Sequence, residues 1–245
     1  IAVASGKGGV GKSSLTVNLA AAFSALGQRV GVLDADVYGH SIPHLLGIRQ
    51  RPVVVDKMIV PPVKNELKLM SIGFFLEDNS PVMWRGPMLH RALEQFLSDV
   101  HWGELDTLVV DMPPGTGDVS ISLGQLLPRA EAVIVTTPQP LAQEVAARAA
   151  LMAQKTSMRL VGVVENMTSE VFGSGCGQQL ADDLQIPLLG TVPLDAALRE
   201  AGDAGTPLVL SAPESAAARA IAAVAAAVDA TRPAGVITRQ LKVLS

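Results

Sequence analysis

The sequence predicts a doubly wound α/β domain, a mostly parallel sheet with helices on both faces, and three observations carry that prediction. Short β-branched apolar runs alternate with helical patterns along the whole chain. The runs are apolar at nearly every position, which suits strands covered on both sides. The connections between runs and helices are short, as a wound sheet requires.

The elements follow in order. Ile1-Ala2-Val3-Ala4 reads as a buried strand, and residues 14–26 have helical spacing. Further strands are predicted over 29–33, 67–72, 105–110, 132–136, 160–164 and 188–192. Helices are predicted over 87–100, 119–127, 142–156, 178–184 and 214–230, the last of them alanine-rich enough to pack closely on the sheet. Residues 80–87 and 168–177 read as exposed loops. No linker rich in Pro, Gly or Ser divides the chain, so residues 1–230 are one domain and the weakly patterned 231–245 a tail.

Composition sets the limits. With 245 residues, 49% of them hydrophobic, the chain can bury one large core. Only 3% is aromatic, so that core is aliphatic. A net charge of −4 gives no electrostatic reason to expect nucleic acid or an anionic membrane as partner. The longest apolar stretch, 220–228, is too short to cross a bilayer. A single cysteine excludes an intramolecular disulfide, and with no secretory signal the expected compartment is the reducing cytoplasm. Ile1 falls inside a strand without a preceding methionine, so further residues are expected upstream.

The chemistry begins at Gly6-Lys7-Gly8-Gly9-Val10-Gly11-Lys12-Ser13, followed by Ser14. The run fits G-x-x-x-x-G-K-[ST], the phosphate-binding P-loop, and places the domain among P-loop NTPases. Glycines let the backbone wrap a phosphate chain with its N–H groups turned inward. Lys12 is placed between the β- and γ-phosphates of ATP, and the Ser13 hydroxyl on Mg²⁺. A strand before the loop and a helix after it supply the required context, the helix N-terminus facing the phosphates.

In wound sheets, ligands bind outside the carboxyl ends of the strands. Three aspartates stand there. Asp34 and Asp36 follow the second strand, and Asp111 closes the run 105–110 before Met112-Pro113-Pro114-Gly115-Thr116-Gly117-Asp118. A lone aspartate in such a place is ordinarily a turn former or helix cap. Three beside a P-loop point to metal and water instead. Asp111 is assigned to the Mg²⁺ shell, Asp34 to its support, and Asp36 to positioning the attacking water.

Here the chain resembles a known group. The second lysine, Lys7, resembles the deviant-Walker-A ATPases, and three stretches resemble one branch, the Mrp/ApbC/Nbp-type iron–sulfur cluster carriers. These are Trp102-Gly103-Glu104-Leu105-Asp106 running into Asp111–Asp118, Trp84-Arg85-Gly86-Pro87-Met88, and Glu165-Asn166-Met167. The resemblance covers roughly residues 1–230. It implies a homodimer facing across two nucleotides, with Lys7 reaching the partner's nucleotide, Asn166 on adenine, and Pro193-Leu194-Asp195 nearby. It also implies a bridging [4Fe–4S] cluster and iron–sulfur apo-protein clients.

The departures are as specific as the matches. The resemblance implies a Cys-x-x-Cys pair after Glu165-Asn166-Met167, yet only Thr168-Ser169-Glu170-Val171 separates Met167 from Phe172. The segment is far shorter than the resemblance implies, so an interruption of the chain is expected there. Cys176 reads as an inert space-filler. A cluster takes four thiolates, and a homodimer of this sequence offers two. His40 reads as a tolerated surface residue, and His44, His90 and His101 lack the spacing of a zinc site. Met70, Met83 and Met88 read as core filling. Trp84 and Arg85 are either subunit-interface anchors or a cover for the edge of the core.

The functional expectation is a Mg²⁺-dependent ATPase acting as an iron–sulfur cluster carrier or scaffold. The competing class is a positioning ATPase of the partition or division-site type, gated onto DNA or membrane by nucleotide. A third is a ligase-type synthase that phosphorylates a metabolite.

Overall fold

The computed structural model describes residues 1–37, 39–75 and 86–231. Met83, Trp84, Arg85, most of the 80–87 loop and the 232–245 part of the tail lie outside the described residues.

In chain order the elements are β1 (Ala2–Ser5), α1 (Lys12–Ala25), β2 (Val30–Asp34), α2 (Ile42–Leu45), β3 (Val53–Val55), β4 (Met58–Val60), β5 (Val63–Lys64) and β6 (Leu67–Ser71). After a 3₁₀ turn come α3 (Gly86–Ser98), β7 (Thr107–Asp111), α4 (Asp118–Leu126), β8 (Glu131–Thr136), α5 (Pro140–Lys155) and β9 (Arg159–Thr168). The chain continues through α6 (Cys176–Leu184), β10 (Leu188–Pro193), α7 (Ala196–Asp203), α8 (Leu208–Ser211) and α9 (Ala216–Ala230). Eight strands form one sheet in the order β10-β9-β8-β1-β7-β2-β6-β5. Every pairing in it is parallel except β5 with β6.

Alternate residues of each strand feed two cores. Val3, Val32, Val133 and Val135 face the side covered by α1 and α9, with Leu15, Leu19, Phe23, Ile221, Val224 and Val228. Ala2, Ala4, Leu33, Ala132 and Ile134 face the other side, with Leu89, Leu93 and Phe96 of α3 and Ala146, Ala150 and Ala153 of α5. This explains runs that are apolar at every position: both faces are dry. Each large side chain so buried contributes about 1.5–3 kcal/mol. The alanines of α5 bring its backbone against the chain after β1. A methyl group on Gly6 would lie 2.1 Å from the Val145 carbonyl, so only glycine fits there.

All seven predicted strands are present, each within a few residues of its expected limits. The antiparallel ribbon β3–β4 and the short helices α2, α7 and α8 were not predicted. Met70 is fully buried as expected, but Met88 is 53% exposed and fills no core, because its position on α3 faces solvent. After Met167 the chain closes into a tight turn over residues 169–173. Ser169 and Gly173 pair through two backbone hydrogen bonds, Ser169 N–H to Gly173 O and Gly173 N–H to Ser169 O, and the Phe172 N–H donates to Ser169 Oγ. Gly173, at φ +76, lets so short a turn close.

Strand order reverses around β1. The chain leaves β1 for β2 on one side and passes from β7 to β8 across it, opening the crevice in which such sheets bind ligands. The carboxyl ends of β1, β2 and β7 therefore converge at Ser5, Asp34 and Asp111, with Asp34 and Asp111 directly paired in register.

Candidate nucleotide and metal site

The loop between β1 and α1 is shaped by two glycines in the left-handed region, Gly9 at φ +80 and Gly11 at φ +77. Gly8 and Gly9 have open space where a side chain would stand. The loop borders a cleft of about 410 Å³, which Lys7, Gly8, Gly9, Gly11, Lys12, Ser13 and Ser14 all line. Asp36 joins from the turn after β2. Ser5, Gly39 and Pro114 complete the wall, three residues that the sequence did not single out. Gly6 and Val10 shape the loop from behind, Gly6 against α5 and Val10 buried in the core.

Asp111 is the centre of the polar network. Fully buried, it accepts the Ser13 hydroxyl at 2.6 Å and the Thr16 hydroxyl at 2.8 Å. Lys12 Nζ stands 2.6 Å from Asp111 Oδ1 and 3.9 Å from Asp36 Oδ2. The ammonium is 6% exposed and has an ion pair with Asp111 but no contact of hydrogen-bond geometry. A buried cation with unfilled donors, at the mouth of a glycine cradle, matches a polyanionic ligand. Thr16 is the one member of this network that the motif did not reveal.

Asp34 sits beside Asp111 but is turned inward. Its carboxylate accepts the Ser71 hydroxyl at 2.9 Å and the Asp36 N–H at 3.2 Å. Burial, and next the neighbouring charge of Asp111, push its pKa up to about 8. Asp36 Oδ1 accepts the Gly39 N–H at 3.1 Å, which fixes the turn that carries it. For a magnesium ion, the oxygen donors Ser13 Oγ and Asp111 converge at the phosphate end of the loop, and their hardness fits that cation.

The more distant residues divide. Asn166, 2% exposed, donates its amide to the Val10 carbonyl at 2.8 Å, so it reaches the P-loop itself. Asp195 caps α7, accepting the Ala197 N–H at 2.9 Å, and Pro193 ends β10. Neither Pro193 nor Asp195 lines the cleft. His40 is exposed against Gly73, as a surface residue.

Cys176 opens α6. Its thiol donates to the Pro138 carbonyl at 2.9 Å, while burial first and the charge of Glu165 second push its pKa up. It is a protonated, half-buried thiol rather than a poised ligand.

With this geometry in place, comparisons with known proteins agree on one family. The family model described as ParA, NUBPL iron-transfer P-loop NTPase, matches residues 1–229. A protein named iron-sulfur cluster carrier protein from Mycobacterium leprae (strain TN) is 58% identical over 228 residues, covering 87% of this chain and 60% of that protein. One of the same name from Bacillus subtilis (strain 168) is 50% identical over 204 residues, 79% of this chain and 58% of its own length. The chain thus spans about 60% of the length of these curated relatives. Among solved structures, the nucleotide-binding protein from Archaeoglobus fulgidus in complex with ADP is 36% identical with a TM-score of 0.75, covering 88% of this chain and 89% of that one. The septum site-determining protein MinD with Mg-ADP from Pyrococcus horikoshii OT3 has a TM-score of 0.73 at 23% identity, covering 93% and 94%, a likeness of fold alone. By its P-loop, its parallel sheet and the extent of these matches, the chain belongs to the ParA/NUBPL family of iron-transfer P-loop NTPases.

Proposed function

We propose that this chain is a Mg²⁺-dependent ATPase that works as a homodimeric iron–sulfur cluster carrier or scaffold. One observation supports the nucleotide half most directly: the buried, unfilled Lys12 ammonium at the mouth of a glycine cradle. The cluster half rests on the family and on the names of its relatives.

In this reading the N–H groups of Gly8 to Ser13 hold the phosphates of ATP, and Lys12 leaves Asp111 for the β- and γ-oxygens. Ser13 holds Mg²⁺ and Asp111 holds its water shell, with Asp34 supporting Asp111 from behind. The ion supplies neutralisation of the charge that builds on the leaving phosphate oxygens. Asp36, kept in place by the Gly39 N–H, orients the attacking water. Lys7 reaches the partner's nucleotide, so hydrolysis requires two chains. Asn166 keeps the P-loop in register and turns its remaining carbonyl oxygen toward adenine, with Pro193 and Asp195 as neighbours of the base. Hydrolysis resets a conformational cycle in the cytoplasm, and the clients are iron–sulfur apo-proteins.

The cargo sets its own limit. A [4Fe–4S] cluster takes four thiolates, and Cys176 is the only cysteine in the sequence. Residues 1–245 of two chains supply two, so a carried cluster takes at least two ligands from outside these cysteines. Phosphate release from ATP in the presence and absence of Mg²⁺, with iron counted after anaerobic reconstitution, tests both halves. No Mg²⁺-dependent turnover removes the ATPase, and no retained iron in the presence of client removes the carrier role. Lipid and DNA co-sedimentation, with and without ATP, tests the competing positioning ATPase.

A further inference from the structure

Glu165 and Asn166 are neighbours on β9, and their side chains hold two different loops. Glu165 is 1% exposed. Its Oε1 accepts the Gly177 N–H at 2.8 Å and the Gly175 N–H at 3.0 Å, and Oε2 shares the Gly175 N–H at 3.0 Å. These are the two amides that flank Cys176 at the start of α6. The contact is close as well as polar: a methyl group on Gly177 would lie 2.5 Å from Glu165 Cβ. Asn166 holds the Val10 carbonyl, and a methyl group on Gly11 would lie 2.4 Å from its Nδ2.

The two grips sit on adjacent residues of a strand paired to its neighbours. Glu165 pairs with Thr136 of β8 and Thr191 of β10, and Asn166 with Val192. Met167, at φ +63, then turns the chain into the 169–175 segment, its Cε 3.1 Å from the same site on Gly11. The far end of that segment is an apolar tip, with Val171 86% and Phe172 42% exposed.

The Val10 carbonyl and the Gly11 N–H belong to one planar peptide unit. A phosphate that captures the Gly11 N–H and the Asn166 amide on the Val10 oxygen therefore compete to set the tilt of a single plane. A change in that tilt is felt at Asn166, and through the next residue at Glu165.

We propose that Glu165 and Asn166 couple the P-loop to the 169–177 segment, so that bound nucleotide alters how the Val171–Phe172 tip is presented. Glu165 is the positioning residue for that segment, and the coupling rests on the nucleotide-binding reading above. A ligand shifts such a segment only as far as it binds its two arrangements unequally.

The half-buried Cys176 thiol, tied to Pro138 between the two amides that Glu165 grips, is a built-in reporter. Its alkylation rate by a maleimide is measured with and without saturating Mg·ADP, while fluorescent-ATP titration tracks occupancy of each protein. In the wild type, nucleotide is expected to change the rate about fivefold or more, the lower range of ordinary coupling. Glu165→Ala, saturated in the same way, is expected to lose that response, because it removes both oxygens that accept the Gly175 and Gly177 N–H groups. Hydrogen exchange of the Gly175 and Gly177 amides in the wild type gives the same readout without any substitution. An unchanged thiol rate and unchanged exchange at full occupancy would overturn the coupling while leaving nucleotide binding intact. A response retained in Glu165→Ala would overturn the role of Glu165. Absence of nucleotide binding in the titration would instead remove the reading on which the coupling rests.

Discussion

Lys12 Nζ lies 2.6 Å from Asp111 Oδ1, so the lysine that reads phosphate rests on the carboxylate that closes β7. Both groups are buried, and Asp111 is further held by Ser13 and Thr16. Beyond its ion pairs with Asp111 and Asp36, no hydrogen-bond partner meets the ammonium, so donors remain for a ligand. Phosphate therefore meets a cation already desolvated and preorganised, which is where charge-assisted contacts are strongest.

Lys12→Ala tests that contact. Hydrogen bonds to charged groups contribute about 1.5–3 kcal/mol, or roughly one to two decades of affinity. Calorimetry with Mg·ATP is expected to show a loss of that size. Unchanged affinity would mean that the loop holds something other than phosphate.

Asp36→Asn separates binding from chemistry. The side chain keeps its shape and its acceptor for the Gly39 N–H, but it loses the charge that orients water. ATP is expected to bind, and hydrolysis to fall roughly 10²-fold or more, the usual scale for general-base assistance. Full turnover in this variant would move the role to another group.

Much of this site was legible in the sequence because its parts are local. The P-loop compresses cradle, cation and metal ligand into eight consecutive residues, and strand ends announced Asp34, Asp36 and Asp111. What the sequence hid is distant: Thr16 meets Asp111 across 95 residues, and Ser71 meets Asp34 across 37. Asp195 carried a second meaning that resemblance alone passed over, an aspartate just before a helix, and the structure shows it as the cap of α7. The ribbon β3–β4 escaped notice because the valines of β3 are exposed, so no core pattern marks them.

Lys7→Ala tests the trans arrangement. Lys7 lines the same cleft as Lys12, at its more open side. Nucleotide binding is expected to survive, while hydrolysis drops by about 10²-fold, as when one donor to a transition-state oxyanion is removed. Sedimentation of the wild type with a slowly hydrolysed ATP analogue is expected to show a dimer. An active wild type that stays monomeric with ATP would end the trans role of Lys7.

Asp34 predicts a pH dependence of the nucleotide-free, metal-free protein. Its carboxyl is buried next to Asp111, and its pKa is raised from 3.8 to about 8. Between those values the folded chain holds a proton that the unfolded chain has released. Stability from this group is therefore greatest at the acid end of the window and falls as pH rises toward 8, by about 1.4 kcal/mol per pH unit at most. Above the window both states are ionised and the dependence ends. Asp34→Asn removes the titration while keeping an acceptor for the Asp36 N–H. Denaturant unfolding at pH 5.5 and 7.5 is therefore expected to show a smaller loss of stability with pH in Asp34→Asn than in the wild type. The comparison cancels the groups that the substitution leaves untouched. Equal slopes would mean that Asp34 is already ionised in the folded state, and that Lys12 neutralises both carboxylates at the ends of β2 and β7.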